Sequence, residues 1–332
     1  MTPRYSIVIP LYNEEAVLPL LMHRLEGILK DLDGPAEVIL VDDGSTDVTG
    51  IFLEAKARQD SRFRYLGFSR NFGQQIAISA GLDHARGEAI IIMDGDLQDP
   101  PETVPQMIAK WREGYDIVYG KRRTRDHDSR LKRFLAASFY KIWNKISPIR
   151  MPENVGDFRL IDRKVLKVFN TMPERERFVR GMFAWLGFKH TYVEFDRPAR
   201  PAGMTQYPFI KQFRLATAAV IGFSDVPLRL VIWAGMIVSA AAGLFGTYAI
   251  FQKLFAAQVL PGWTSMTVIV SFLCGMNMLM TGIIGIYIGR IHREVQRRPL
   301  YIVSRHAGVE HDAGERSDAE VHEPRGLVVK TG

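Results

Sequence analysis

Two aspartates separated by one glycine, Asp94-Gly95-Asp96, follow the apolar run Ala89-Ile90-Ile91-Ile92-Met93. The run is short, β-branched and closed by turn residues, so it reads as a buried strand. Its C-terminal end delivers two carboxylates to the crevice where open α/β sheets bind ligands. Carboxylates so placed suit a divalent cation: Mg²⁺ takes one or two of them, keeps waters and bridges phosphates. Asp96 is the first ligand expected, with Asp94 nearer a ribose. A second acidic strand end, Val41-Asp42-Asp43-Gly44-Ser45, lies upstream. Asp42, Asp43 and Glu14 are placed to accept from a ribose hydroxyl or a base N–H. By itself, Asp-Asp-Gly-Ser is equally an ordinary turn with a helix cap. No G-x-G-x-x-G and no G-x-x-x-x-G-K-[ST] occurs, which argues against dinucleotide and P-loop sites.

The elements that must position these residues alternate. Strands are expected at Tyr5–Ile9, Glu37–Val41, Phe63–Gly67, Ala89–Met93 and Asp116–Tyr119. Helices are expected at Glu14–Lys30, Val48–Arg58, Gln74–Ala85 and Glu102–Glu113, with Asp47 available to cap the second. This order predicts an α/β domain, a mostly parallel sheet covered by helices. Lys121 to Arg133 then interrupts the pattern with Lys121, Arg122, Arg123, Arg125, Arg130, Lys132 and Arg133. Leu131 to Ile146 reads as a basic amphipathic helix of the kind that lies on a membrane surface.

Two later segments, 228–251 and 266–288, are long and apolar, and Arg229 is their only charge. Each exceeds the roughly 20 residues that span hydrocarbon, and both are rich in the small residues that suit packing in lipid. Their flanks carry Arg214 and Arg229 on one side and Arg290, His292, Arg293, Arg297 and Arg298 on the other. The positive-inside rule therefore puts both flanks in the cytoplasm. The expected organisation is a cytoplasmic domain over 1–205, interfacial amphipathic helices over 206–227, a two-helix transmembrane hairpin over 228–290 and a cytoplasmic tail over 291–332. The tail is polar and of mixed charge, and disorder is expected past about 304. Ser6-Ile7-Val8-Ile9 is too short for a signal-peptide core and runs into Pro10. The expected location is an inner (plasma) membrane, multi-pass, with the catalytic domain and both termini cytoplasmic.

The 332-residue chain has a formal net charge of +7 and a single cysteine. That cysteine count excludes a disulfide framework and a Cys-based zinc site within one chain. The basic balance suits anionic lipid or phosphorylated substrates. No nucleic-acid module accompanies the basic run, so nucleic acid is not an expected partner.

Five segments together carry a resemblance. Ile9-Pro10-Leu11-Tyr12-Asn13-Glu14-Glu15, the Asp42-Asp43-Gly44-Ser45 turn, Ser69-Arg70-Asn71-Phe72-Gly73, Asp94-Gly95-Asp96-Leu97-Gln98-Asp99-Pro100-Pro101 and Gly156-Asp157-Phe158-Arg159-Leu160 resemble glycosyltransferase family 2. They are most similar to its polyprenyl-phosphate glycosyltransferases, the group of dolichyl-phosphate mannose synthase and the bactoprenol glucosyltransferases. The resemblance covers about residues 5–300. It implies a GT-A (Rossmann-like) fold, a UDP-glucose-like nucleotide-sugar donor, Mg²⁺ or Mn²⁺, a polyprenyl (undecaprenyl) phosphate acceptor and inversion at the anomeric carbon. It further implies that Pro10, Tyr12, Glu14, Asp42 and Asp43 hold the nucleoside, and that Asp94 and Asp96 hold metal and diphosphate. Arg122, Arg133 and Arg200 would bind the acceptor phosphate, and Asp157 matches the proposed catalytic base. An acceptor phosphate is already largely dianionic at neutral pH, so Asp157 has two further readings: it orients an arginine, or it steadies charge developing at the sugar. The sequence departs from the family at Arg200-Pro201-Ala202-Gly203-Met204-Thr205-Gln206-Tyr207, where Met204 and Gln206 replace an acid and a lysine.

Two rival readings remain. A processive polysaccharide synthase usually carries Gln-x-x-Arg-Trp and more spans, and this chain has neither. A non-catalytic membrane scaffold would not need Asp94, Asp96 and Asp157. Two spans bury little lipid-facing surface, so a homo-oligomer is also a possible partner state.

Overall fold

The computed structural model describes residues 2–123, 155–196, 226–255, 262–309 and 327–328. Arg133, Arg200, the Met204–Gln206 departure and both amphipathic surface helices lie outside the described residues.

The chain divides into two compact units. The larger holds a nine-stranded sheet in the order β7-β5-β6-β4-β1-β2-β3-β8-β9. Its first half follows the expected alternation: β1 (Tyr5–Leu11), α1 (Leu18–Asp31), β2 (Ala36–Asp42), α2 (Thr49–Gln59), β3 (Phe63–Phe68), α3 (Gln74–His84) and β4 (Ala89–Ile92). A 3₁₀ turn at Pro101–Thr103 leads into α4 (Val104–Arg112). β1 pairs in parallel with β2 and β4, and β2 with β3. Helices cover both faces, so the central strands are buried almost throughout and mainly apolar instead of alternating. Ile90, Ile91 and Ile92 are wholly buried, each worth about 2 kcal/mol. α1 presents Leu18, Leu21, Met22, Leu25, Ile28 and Leu29 to the core at helical spacing.

The second half departs from simple alternation. β5 (Ile117–Arg122) does not lie beside β4. β6 (Val155–Asp162) enters between them, antiparallel to both, and β7 (His190–Phe195) pairs in parallel with β5. α5 (Arg163–Thr171) and α6 (Val179–Trp185) connect β6 to β7. Asp162 caps α5, accepting from the Lys164 amide at 2.9 Å.

Among the described residues, regular structure continues past 304, where the sequence predicts that disorder begins. β8 (Ile302–Ala307) follows the apolar helices and joins the sheet antiparallel to β3. Its polar residues read as tail, but the open edge of β3 supplies the backbone partners that make it a strand. β9 (Leu327–Val328) pairs in parallel with β8.

The smaller unit contains two helices, α7 (Val226–Phe255) and α8 (Trp263–Val295), of 30 and 33 residues. At 1.5 Å per residue they run about 45 and 50 Å, longer than the roughly 30 Å hydrocarbon core. Their candidate spans, Val231–Tyr248 and Phe272–Val295, have no buried share. Ile232, Trp233, Leu244, Met278 and Leu279 are more than half exposed. A core helix of a water-soluble domain buries such residues. Lipid is the solvent in which this surface is stable.

Candidate functional site

The site assembles at the C-terminal ends of β1, β2 and β4. Pro10 sits in β1 opposite Val41 of β2, past the last β1–β4 pair at Val8 and Ile92. Its missing N–H therefore costs no hydrogen bond on the β4 side. The two loops beyond β1 and β2 are laced together. The Asn13 amide donates to Ser45 Oγ at 3.0 Å, and Asn13 Oδ1 accepts from the Thr46 amide at 2.8 Å. The Glu14 amide donates to Thr49 Oγ1 at 3.0 Å. This fastens the loop that carries Tyr12 and Glu14, both partly exposed, beside the acidic turn.

Neighbouring carboxylates in that turn do different work. Asp42 points inward and accepts from the Ser45 amide (2.9 Å) and the Tyr65 hydroxyl (3.2 Å). Asp43 accepts from the amides of Phe72 (2.7 Å) and Gly73 (2.9 Å), so it anchors the β3–α3 loop. Burial pushes the Asp43 carboxyl up to about 6, against the pull of those two amides. Gly44 has a φ of +71°, and a Cβ there would stand 2.4 Å from the Arg70 carbonyl carbon. The turn and the β3–α3 loop thus touch backbone to backbone.

The Asp94–Asp99 segment is wound tightly. Asp96 Oδ1 accepts from the Gln98 amide at 3.0 Å, and Asp99 Oδ2 accepts from the Asp94 amide at 3.2 Å. Between them Leu97 is fully buried at a φ of +59°. For a residue with a Cβ that costs about 1–3 kcal/mol, held by the burial of its side chain. Burial raises the Asp94 carboxyl well above the carboxylate range, and Asp99, Asp157 and Asp96 push it further.

β6 brings the fourth carboxylate. Its register sets Arg159 opposite Ile92, so Asp157 falls across from Asp94 just past the end of β4. Arg180 on α6 grips Asp157 with two hydrogen bonds, Nε at 2.8 Å and Nη2 at 2.9 Å. Arg159, wholly buried, stands 3.5 Å from the same carboxylate and donates to the carbonyls of Asp157 and Gly156. Burial pushes the Asp157 carboxyl up, but the charge and hydrogen bonds of Arg180, with Arg159, outweigh it and hold it low. Two amides at the start of α3 complete the frame. Gln74 Nε2 donates to Asp94 at 2.7 Å and Gln75 Nε2 to Asp157 at 3.3 Å, while Gln75 Oε1 accepts from the Val179 amide at 3.0 Å. Arg122 lies 4.0 Å from Asp99 on the same crevice.

Residues 6–169 match the profile of glycosyl transferase family 2. An uncharacterized glycosyltransferase of Synechocystis, sll0501, is 42% identical, with 94% of this chain and 98% of that protein covered. A prophage bactoprenol glucosyl transferase homolog of Escherichia coli is 40% identical, covering 91% and 99%. The bactoprenol glucosyl transferase of Shigella phage SfII is 39% identical, covering 91% and 98%. The chain belongs to glycosyl transferase family 2. Its sheet is of the GT-A type, and the two apolar helices of this glycosyltransferase point to membrane association.

The donor set of the transferase fits a hard divalent cation. Asp94 and Asp96 offer carboxylate oxygens at one strand end, and the burial that raises Asp94, with the charges of Asp99, Asp157 and Asp96 added to it, is a strain a cation relieves. Among the described residues no three His, Cys, Asp or Glu side chains form a complete metal cage, as expected where a diphosphate and waters supply the remaining ligands.

The crevice also gathers residues to which the sequence assigns no part. Asp99 and Arg159 lay inside quoted segments without an assigned part. Gln74 and Gln75 are polar residues at a helix start. Arg180 carried a weak signal, a cation in the stretch Arg175-Glu176-Arg177-Phe178-Val179-Arg180 leading into a short helix.

Proposed function

We propose that this glycosyltransferase moves one glucose from UDP-glucose to a polyprenyl phosphate at the cytoplasmic membrane face, with inversion at the anomeric carbon. The observation that carries the reading is the Asp94, Asp96, Asp99 and Asp157 cluster, closed on one side by Arg180 and Arg122. The names of the bactoprenol glucosyl transferases that cover over nine-tenths of the chain support the acceptor and sugar.

Asp96 and Asp94 would hold Mg²⁺ or Mn²⁺, which when bound offsets charge on the leaving diphosphate. Pro10, Tyr12 and Glu14 line the nucleoside side, where Asp42 and Asp43 set the turn and the adjoining loop. A phosphate oxygen of the acceptor forms the new bond to the anomeric carbon. The bond to the diphosphate breaks on the opposite face, and UDP leaves with the electron pair. The attacking phosphate is already ionised at neutral pH, so no proton needs removal. Asp157, both oxygens engaged by Arg180, acts in this reading by fixing that guanidinium toward developing charge. Arg122, with Arg133 and Arg200, binds the acceptor phosphate bidentately.

β8 begins a few residues after α8 ends and pairs with β3. In this reading the C-terminal end of α8 is cytoplasmic, which its basic flank supports. A homo-oligomer would add lipid-facing contact that two spans alone lack.

The test incubates the purified full-length protein with undecaprenyl phosphate, Mg²⁺ and a panel of nucleotide sugars, and weighs the lipid product. Undecaprenyl-phosphate glucose formed from UDP-glucose is the expected result. Product only with a water-soluble acceptor would overturn the reading.

A further inference from the structure

A ladder of side chains joins the segment behind α8 to the β3–α3 loop. Tyr301 is wholly buried and stacks on Phe68, with ring centroids 5.2 Å apart and planes 19° from parallel. Its hydroxyl donates to Asp83 on α3 at 3.1 Å. Phe68 meets Phe72 edge to face at 5.6 Å, and the Arg70 guanidinium lies 4.2 Å over the Phe72 ring. The backbone runs the same way. The Ser69 amide donates to the Ile302 carbonyl at 3.0 Å, and Ser304 Oγ donates to the Gly67 carbonyl at 3.2 Å. The far end of this ladder is the pair of amides, Phe72 and Gly73, that hold Asp43.

The loop in question is short, and Ser69, Arg70 and Asn71 are exposed. It has no regular secondary structure, and exposed backbone of this kind is the usual profile of a segment that opens locally. The Tyr301 stack on Phe68 adds to the restraint that the Asp43 bonds and the Gly44–Arg70 contact impose. We propose that Tyr301 is a positioning residue of the donor site, holding the Ser69–Gly73 loop, and with it the turn that Asp43 anchors, in the one arrangement that receives the nucleotide. The inference rests on the reading of this crevice as a nucleotide-sugar site. Among the described residues no hydrogen bond, ion pair or ring contact joins Tyr301 directly to Asp94, Asp96, Asp157 or Arg180.

The test measures UDP binding by titration calorimetry, and donor and acceptor KM with kcat, on full-length wild type, Tyr301→Ala and Tyr301→Phe. An aromatic pair is worth about 0.5–1.5 kcal/mol beyond its buried area, so Tyr301→Ala should weaken UDP binding and raise donor KM about three- to tenfold. Acceptor KM should not move, and Tyr301→Phe, which keeps the stack, should stay near wild type. Phe68→Leu breaks the ladder from the other side and should reproduce the donor-specific shift, which keeps the test open if Tyr301→Ala fails to fold. Unchanged UDP affinity in both ladder-breaking variants overturns the proposal. So does a parallel rise in donor and acceptor KM, or a loss of active protein with donor KM unmoved. Wild-type protein that binds no UDP overturns the donor reading itself, a separate outcome.

Discussion

Asp43 is kept charged at a cost. Its folded value of about 6 stands above the ordinary 3.8, so between those values the folded chain binds more protons than the unfolded chain. Its contribution to stability therefore falls as pH rises from about 4 to about 6 and stays lost above, on the order of 3 kcal/mol in full. Asp43→Asn mimics the neutral form and can still accept from both amides. It should be more stable than wild type at pH 8, with the difference about halved near pH 5 and gone below about pH 4, as measured by denaturant unfolding across that range. Asp157 is the opposite case. Asp157→Asn leaves the buried Arg159 without its counter-charge, which should cost about 3–5 kcal/mol. Adding Arg159→Met should recover part of that loss. If Asp157 acts by placing Arg180, Arg180→Lys, which cannot make the two-point grip, should lower kcat about as far as Asp157→Asn does. A base role predicts that Arg180→Lys keeps most of kcat.

At the scale of elements, α3 connects sheet packing to the chemistry. Gly81 in its interior faces β1, where an added Cβ would lie 2.2 Å from Val8 Cγ1. A glycine inside a helix costs about 1 kcal/mol against alanine, so its presence marks the close approach of helix to strand. Gly81→Ala should destabilise by about 1–2 kcal/mol, overpacking outweighing the gain in helix propensity. Thermal unfolding measures that loss. Pushing α3 outward also moves Gln74 and Gln75 away from Asp94 and Asp157, so kcat should fall even where the protein remains folded.

At the scale of the whole molecule, the sheet is completed by a strand from far along the chain. β8 arrives from beyond α8 and covers the edge of β3. A fragment ending at residue 225 loses that strand and exposes both Phe68 and unpaired backbone groups, the setting for edge-to-edge association. Such a fragment should self-associate with concentration in sedimentation. Fusing residues 298–309 to it through a flexible linker should restore a monomer with a higher melting temperature. Equal behaviour of the two fragments would refute a structural part for β8.

The sequence by itself determined the elements whose burial pattern is local. Runs such as Ala89–Met93 and the two long apolar segments declare strand or membrane helix through hydrophobicity alone, and the acids at strand ends declare a ligand crevice. Tertiary structure alone decided which distant groups meet. Nothing near Val155–Asp162 announces that it enters antiparallel between β4 and β5, yet only that register sets Asp157 across from Asp94. Nothing in Arg180 names Asp157 as its partner, and the short mixed segment Ile302–Ala307 becomes a strand because β3 leaves an edge open. Backbone pairing and charge pairing are bonds between two parties. A residue's own neighbours record its burial, but the partner that satisfies it is fixed only when the chain has closed the intervening loop.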